Sequence, residues 1–162
     1  KLKEEYDFVL VDSPAGIEQG FQNAIAGATE AIVVTTPEMS AVRDADRIIG
    51  LLEAKEEIVS YKLVLNRVRP AMIQTNDMMS VEDVLDILSV KLLGIIPEDE
   101  GIIVSTNKGE PIVNNVENAK AGIAYNNVAR RIMGEEVPFI SLEAPTSWIS
   151  KLKSLFLATA SS

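Results

Sequence analysis

Apolar residues recur along this chain in two rhythms. Phe8-Val9-Leu10-Val11 is continuously apolar and ends in Asp12-Ser13-Pro14-Ala15-Gly16, which predicts a strand buried on both faces followed by a loop. Three further short runs predict the same: Ala31 to Val34, closed by Thr35-Thr36-Pro37; Leu63-Val64-Leu65, closed by Asn66-Arg67; and Leu92 to Ile96, closed by Pro97. Between them the period changes to that of helices. Val42, Ala45, Ile48, Ile49 and Leu52 fall three or four apart, with Arg43, Asp44, Asp46 and Arg47 on other faces. Val81, Val84, Leu85 and Leu88 repeat the pattern behind an N-cap at Ser80, whose capping box is completed by Asp83. A longer helix is predicted from about Asn118 to Met133, stopping at Gly134. Strands alternating with helices predict an α/β domain, a parallel sheet with helices on both faces. It occupies residues 1–134; residues 135–146 read as a polar linker, and residues 147–162 as a separate terminal element.

Composition narrows the chemistry. The 162 residues suffice for one domain, and 47% hydrophobic with 24% charged residues is a globular balance. Cysteine and histidine are both absent, which excludes disulfides, thiolate or imidazole metal sites and every Ser-His or Cys-His arrangement. What remains is carboxylates, Lys and Arg, hydroxyls, backbone groups, or a metal bound through oxygen. The net charge of −9 argues against nucleic-acid binding, which needs a basic surface to displace counterions. That charge is uneven: Lys151 and Lys153 are the only charges after Glu143, so the tail carries +2 and the rest −11. No apolar run approaches the roughly 20 residues of a membrane-spanning helix, and no signal-peptide layout opens the chain. The first residue is Lys1, not Met, and a buried-strand pattern has begun by residue 7, which leads us to expect missing upstream sequence.

In open parallel sheets ligands bind beyond the carboxyl ends of the strands. The predicted strands end there in Asp12, Thr35-Thr36, Asn66-Arg67 and, after Pro97, Glu98-Asp99. An acidic residue directly after a buried strand is where phosphate-loop nucleotide hydrolases hold Mg²⁺, and Gly16 would let the backbone approach a terminal phosphate. The other reading is that Asp12 caps a turn before Pro14. Asn66 both donates and accepts, as an adenine edge requires, and Arg67 can lie flat over a base, though this too reads as a turn. No Gly-Lys-Ser or Gly-Lys-Thr occurs, so the triphosphate has no cradle here. Mixed charges on the helix bearing Arg43, Asp44, Asp46 and Arg47 read either as a solvated face or as a docking surface. Met72, Met78 and Met79 read as core filling or as an adaptable contact surface.

The C-terminus carries the other signal. Trp148, Ile149, Leu152, Leu155 and Phe156 share an arc of roughly 120° on a helix. Lys151 and Lys153 flank that arc, placed for ammonium groups to reach anionic headgroups. Eleven residues of helix measure about 16 Å, too short to cross a bilayer and suited to lying in its surface. The opposing possibility is a last helix packed on its own domain. The linker, the basic charge and the large apolar residues favour the membrane surface.

Several segments together resemble the MinD family of septum-site-determining ATPases. They are Tyr6 to Glu18, Ser40 to Ile48, Met79 to Val84, Ile96-Pro97-Glu98-Asp99 and Gly109-Glu110-Pro111, followed by an amphipathic tail. Thr35 to Met39 and Asn66 to Pro70 look most like cyanobacterial and plastid members. The resemblance implies a P-loop NTPase-type, mostly parallel sheet with flanking helices, its N-terminal strands missing, plus the C-terminal amphipathic helix. It implies that the complete protein binds ATP and Mg²⁺, forms a homodimer around nucleotide, and sits on anionic lipid through paired tails. A MinC-like division inhibitor would be recruited and a MinE-like protein would release it, in the bacterial cytoplasm or plastid stroma, peripheral on the inner membrane. Carried over by residue, Asp12 organises Mg²⁺ and Gly16 contacts the terminal phosphate region. Asn66, Arg67, Pro97, Glu98 and Asp99 border adenine and ribose, and Arg43, Asp44 and Asp46 lie on the partner helix. The family's Lys-Gly-Gly-x-Gly-Lys-Thr-Thr loop has no counterpart here, which implies a C-terminal part that does not turn over ATP by itself. The runner-up reading is a nucleotide-independent membrane adaptor, or a degenerate ATPase fragment.

Overall fold

The computed structural model describes residues 2–114 and 119–142. Three parallel strands, β1 (Glu30–Thr35), β2 (Ser60–Val68) and β3 (Lys91–Pro97), form a sheet in the order β1-β2-β3. The described residues also form the helices α1 (Leu2–Glu5), α2 (Gln19–Ile25), α3 (Met39–Glu53), α4 (Pro70–Gln74), α5 (Val81–Leu88), α6 (Glu100–Lys108) and α7 (Lys120–Ile132). A 3₁₀ turn covers Ile112–Asn114. The helices α3, α5 and α7 and all three later strands fall where the apolar rhythm puts them. Asn118, the expected start of the last helix, lies outside the described residues. Gly134 follows α7 at a φ of 90°, a left-handed stop that suits glycine.

The middle strand shows why its apolar run is unbroken. Leu63 and Leu65 enter one core with Phe21, Val42, Ile49, Leu52 and Val84, on the side of α2, α3 and α5. Val64, pointing the other way, enters a second core with Leu93, Ile96, Ala121 and Ala124 on the side of α7. Helix α7 lies so close to β3 that a Cβ added at Gly94 would stand 2.2 Å from a methyl of Val128. At α5 the expected capping box is present: Ser80 Oγ accepts from the Asp83 N–H at 3.0 Å, and Asp83 Oδ2 accepts from the Ser80 N–H at 3.2 Å.

Two expectations are corrected. Phe8 to Val11 is not a strand; it is exposed, Leu10 at 82%, and pairs with no strand among the described residues. An apolar run is only half of a buried strand; the other half is neighbours, and no described strand lies beside this one. The same logic acts on β1, which pairs on one side only. Val33 is buried against the α3 side, whereas Ile32 and Val34 are 40% and 59% exposed on a face that α7 does not cover.

Of the expected linker, residues 135–142 are described and residues 143–146 are not. The described part is irregular yet fastened. Arg131 donates to the carbonyls of Leu93, Val137 and Pro138 at 2.9, 3.0 and 2.9 Å, and its guanidinium lies 4.2 Å from the ring centre of Phe139. Beyond it Ile140 packs on the α7-side core and Leu142 on the α3-side core.

Candidate functional site

The sheet brings the ends of β2 and β3 together, with Val68 in register with Pro97. Glu98, the residue after β3, faces two arginines carried by the end of β2. Arg69 clasps it with Nε and with one terminal nitrogen, the latter 2.8 Å from Oε1, and Arg67 reaches the same oxygen at 3.3 Å. Arg69 above all, and then Arg67, hold the Glu98 carboxyl below the usual carboxylate range. The reciprocal effect raises the pKa of Arg69. Planar guanidinium on planar carboxylate fixes orientation as well as charge, so the mouth of the two strands is set by side chains.

Asn66 and Arg67 form a local turn within β2. Asn66 Oδ1 accepts from the Arg67 N–H at 2.9 Å, and Arg67 adopts a φ of 56°. A non-glycine residue in the left-handed region costs energy that surrounding contacts must offset, here the Asn66 side chain and the link to Glu98. Its consequence is a guanidinium turned outward at the strand end, 62% exposed, where a flat ligand can meet it.

Asp99 joins two helices. Its Oδ1 accepts from the Gly101 N–H at 2.8 Å and its Oδ2 from the Ala121 N–H at 3.2 Å, so one carboxylate caps the starts of α6 and α7. Pro97 is buried between Ile96 and this turn. Thus Asn66, Arg67, Pro97, Glu98 and Asp99 are neighbours, as their places at adjacent strand ends require.

Asp12 and Gly16 are not brought to them. Both stand exposed on the segment before α2, Gly16 at a φ of 90° with room for a Cβ, so conformation and not space is what suits it to glycine. Magnesium needs only one or two carboxylates, with phosphate and water filling its remaining positions. Asp12 offers one such donor; among the described residues no group of three or more acidic side chains is gathered to hold a metal ion. Arg43, Asp44 and Asp46 lie on the exposed side of α3, opposite buried Val42, Ala45 and Ile49; Asp44 pairs with Arg47 at 3.9 Å, on the surface. Trp148, Ile149, Lys151, Leu152, Lys153, Leu155 and Phe156 lie outside the described residues. Arg69 had no role in the sequence reading; the signal for it was a second cation two positions after Arg67, directly before the helix-starting Pro70.

A family profile described as "ParA: NUBPL iron-transfer P-loop NTPase" matches residues 3–133. The septum site-determining protein MinD of Synechocystis sp. is 57% identical over 144 residues, covering 89% of this chain and 54% of that protein. MinD in the MinC:MinD cell division protein complex of Aquifex aeolicus superposes with a TM-score of 0.81 at 46% identity, over 86% of this chain and 57% of that one. The septum site-determining MinD of Pyrococcus horikoshii, complexed with Mg-ADP, gives 0.70 at 32% identity, over 81% of this chain and 52% of that one. The chain spans about half the length of the relatives it matches. With a profile running through the sheet and its strand ends, and septum site-determining relatives alike in sequence and backbone, the chain belongs to the ParA family of P-loop NTPases, in its MinD branch.

Proposed function

We propose that this chain is the C-terminal part of an ATPase that cycles on and off a membrane surface and helps to place the division site. The observation that carries the reading is the joined mouth of β2 and β3. Asn66 and Arg67 stand there beside an oriented Glu98, at the carboxyl end of a parallel sheet where nucleotides bind in such folds. In the complete protein Arg67 would lie over the base, with Asn66 on its edge and Pro97-Glu98-Asp99 bordering the ribose. Asp12 would hold Mg²⁺ through water and Gly16 would lie near the terminal phosphate; the bound metal would supply charge neutralisation for in-line attack by water. The Mg-ADP complex of the Pyrococcus horikoshii relative supports nucleotide and metal as ligands. The MinC complex of the Aquifex aeolicus relative supports a MinC-like partner, for which the exposed face of α3 with Arg43, Asp44 and Asp46 is the docking surface. Dimerisation around nucleotide, release by a MinE-like protein, and a place on the inner membrane of a bacterial cytoplasm or plastid stroma complete the proposal. The tail binds weakly as one copy and tightly as a pair through effective concentration.

The test uses a complete chain with an upstream Gly-Lys-Thr loop. Asp12→Ala is expected to lower ATP turnover at least a hundredfold, and turnover at the normal rate refutes the metal role. For the membrane, Trp148→Glu together with Leu152→Glu is expected to abolish sedimentation with anionic liposomes; unchanged sedimentation removes the tail's assigned role.

A further inference from the structure

The bonds made by Glu98 leave one of its acceptor positions open. Its N–H donates to the Val68 carbonyl at 2.9 Å, which fixes the residue at the end of β2. An ionised carboxylate offers about four acceptor positions, two on each oxygen. Oε1 takes Arg69 Nη2 at 2.8 Å and Arg67 Nη2 at 3.3 Å, and Oε2 takes Arg69 Nε. No other donor reaches the carboxylate among the described residues, so a position on Oε2 remains. With the side chain 34% exposed, a ligand can reach it.

The two arginines are held differently. Arg69 spends Nε and Nη2 on Glu98 and turns Nη1 to the Met72 sulfur at 3.7 Å, while its backbone N–H donates to the Met78 sulfur at 3.5 Å. Engaged at every nitrogen, it is a fixed support for the carboxylate. Arg67 gives Glu98 one bond and is 62% exposed; its other guanidinium donors have no partner among the described residues. It therefore offers a flat cationic face on which an aromatic ring can stack. Whatever substituent that ring carries then falls beside Glu98. The open acceptor position calls for a hydroxyl there, and a flat ring bearing a hydroxylated substituent is a nucleoside. A phosphate dianion brings no proton to the bond and meets a carboxylate that the arginines keep ionised. Dinucleotide-binding folds sort sugars by the same chemistry, with a carboxylate for the bare ribose hydroxyl and an arginine for the phosphorylated one.

We infer that Glu98, held by Arg69, selects the sugar of the nucleotide: its remaining Oε2 position accepts a ribose hydroxyl, and its charge turns away a ribose phosphate. Without that charge, Arg67 and Arg69 together form a phosphate site, since paired guanidinium groups match phosphate oxygens. The ligand class is thus nucleotides with unsubstituted ribose, and those phosphorylated on the 2′ or 3′ oxygen are excluded. This rests on the nucleotide reading proposed above and adds to it which sugars the site takes.

The test uses the complete chain with an upstream Gly-Lys-Thr loop. Displacement of radiolabelled ATP gives dissociation constants for AMP, 2′-deoxy-AMP, 3′-deoxy-AMP, adenosine 2′,5′-bisphosphate and adenosine 3′,5′-bisphosphate. In wild type, AMP is expected to bind about tenfold more tightly than one of the deoxynucleotides, the effect of one charge-assisted hydrogen bond. It is expected to exceed the bisphosphate substituted at that same carbon by at least about tenfold. Glu98→Gln keeps an oxygen acceptor and drops the charge. The hydroxyl preference is then expected to fall to about threefold, the effect of a neutral hydrogen bond, and the bisphosphate to bind more tightly than AMP. Glu98→Asp keeps the charge and draws the carboxylate back, so it is expected to lose the hydroxyl preference and keep the rejection of phosphate; it serves if Glu98→Gln does not fold. Each comparison is a ratio within one variant, so a reduced folded fraction cancels. Ratios that stay at the wild-type values in both variants overturn the inference even if every ligand is weakened, because a merely structural role weakens all alike. A bisphosphate that outbinds AMP in wild type overturns it too. Wild type that fails to bind ATP at all refutes the nucleotide reading and this inference with it, whereas ATP binding with unchanged ratios refutes the inference alone.

Discussion

At the scale of single residues, the mouth of β2 and β3 depends on one carboxylate shared by two arginines. Because the Glu98 pKa is lowered in the folded chain, the pair stabilises the fold above the ordinary carboxylate pKa. That contribution is lost as pH falls through the lowered value. Glu98→Gln is therefore expected to be less stable than wild type at neutral pH and to converge with it in acid. Urea titrations at a series of pH values measure this, and parallel curves down to the acid limit would contradict it. Asp99 differs in kind. Both its oxygens are occupied by backbone N–H groups of α6 and α7, so its first duty is to hold two helices in place beside the site.

At the scale of elements, α7 and β3 meet closely at Gly94. A methyl group at Gly94 would fall 2.2 Å from Val128, and a β-branched side chain inside a helix strongly prefers one rotamer and yields only at a cost. Gly94→Ala is expected to destabilise by about 1–3 kcal/mol, despite the gain that alanine usually brings by restricting the unfolded chain. Adding Val128→Ala is expected to recover most of that loss. A double-mutant cycle in denaturant measures the coupling, and simple additivity would show that the strand and helix separate more easily than their spacing indicates.

At the scale of the whole molecule, the two edges of the described sheet differ. The strap and Arg131 lie along the outer edge of β3, while among the described residues no strand pairs with the other edge of β1, where Ile32 and Val34 are exposed. Exposed apolar edges pair with other chains. Val34→Lys is expected to reduce self-association of the 162-residue chain in sedimentation velocity at unchanged far-UV circular dichroism; association equal to wild type would place the contact elsewhere.

Local patterns determined much of this protein by themselves. The period of the apolar residues set α3, α5, α7 and the strands at 31–34, 63–65 and 92–96, because side-chain alternation and capping act over a few neighbouring residues. The segments shared with MinD proteins marked the strand-end residues. Only the tertiary structure decided which runs are covered. Val9 and Val34 read in sequence like Val64, but pairing and burial are supplied by residues far away in the chain, and only Val64 has them on both sides. The Arg67–Glu98–Arg69 cluster spans about 30 positions, and the Asp99 link between two helices spans 22; no local pattern encodes such distances. They arise because parallel strands place their carboxyl ends side by side.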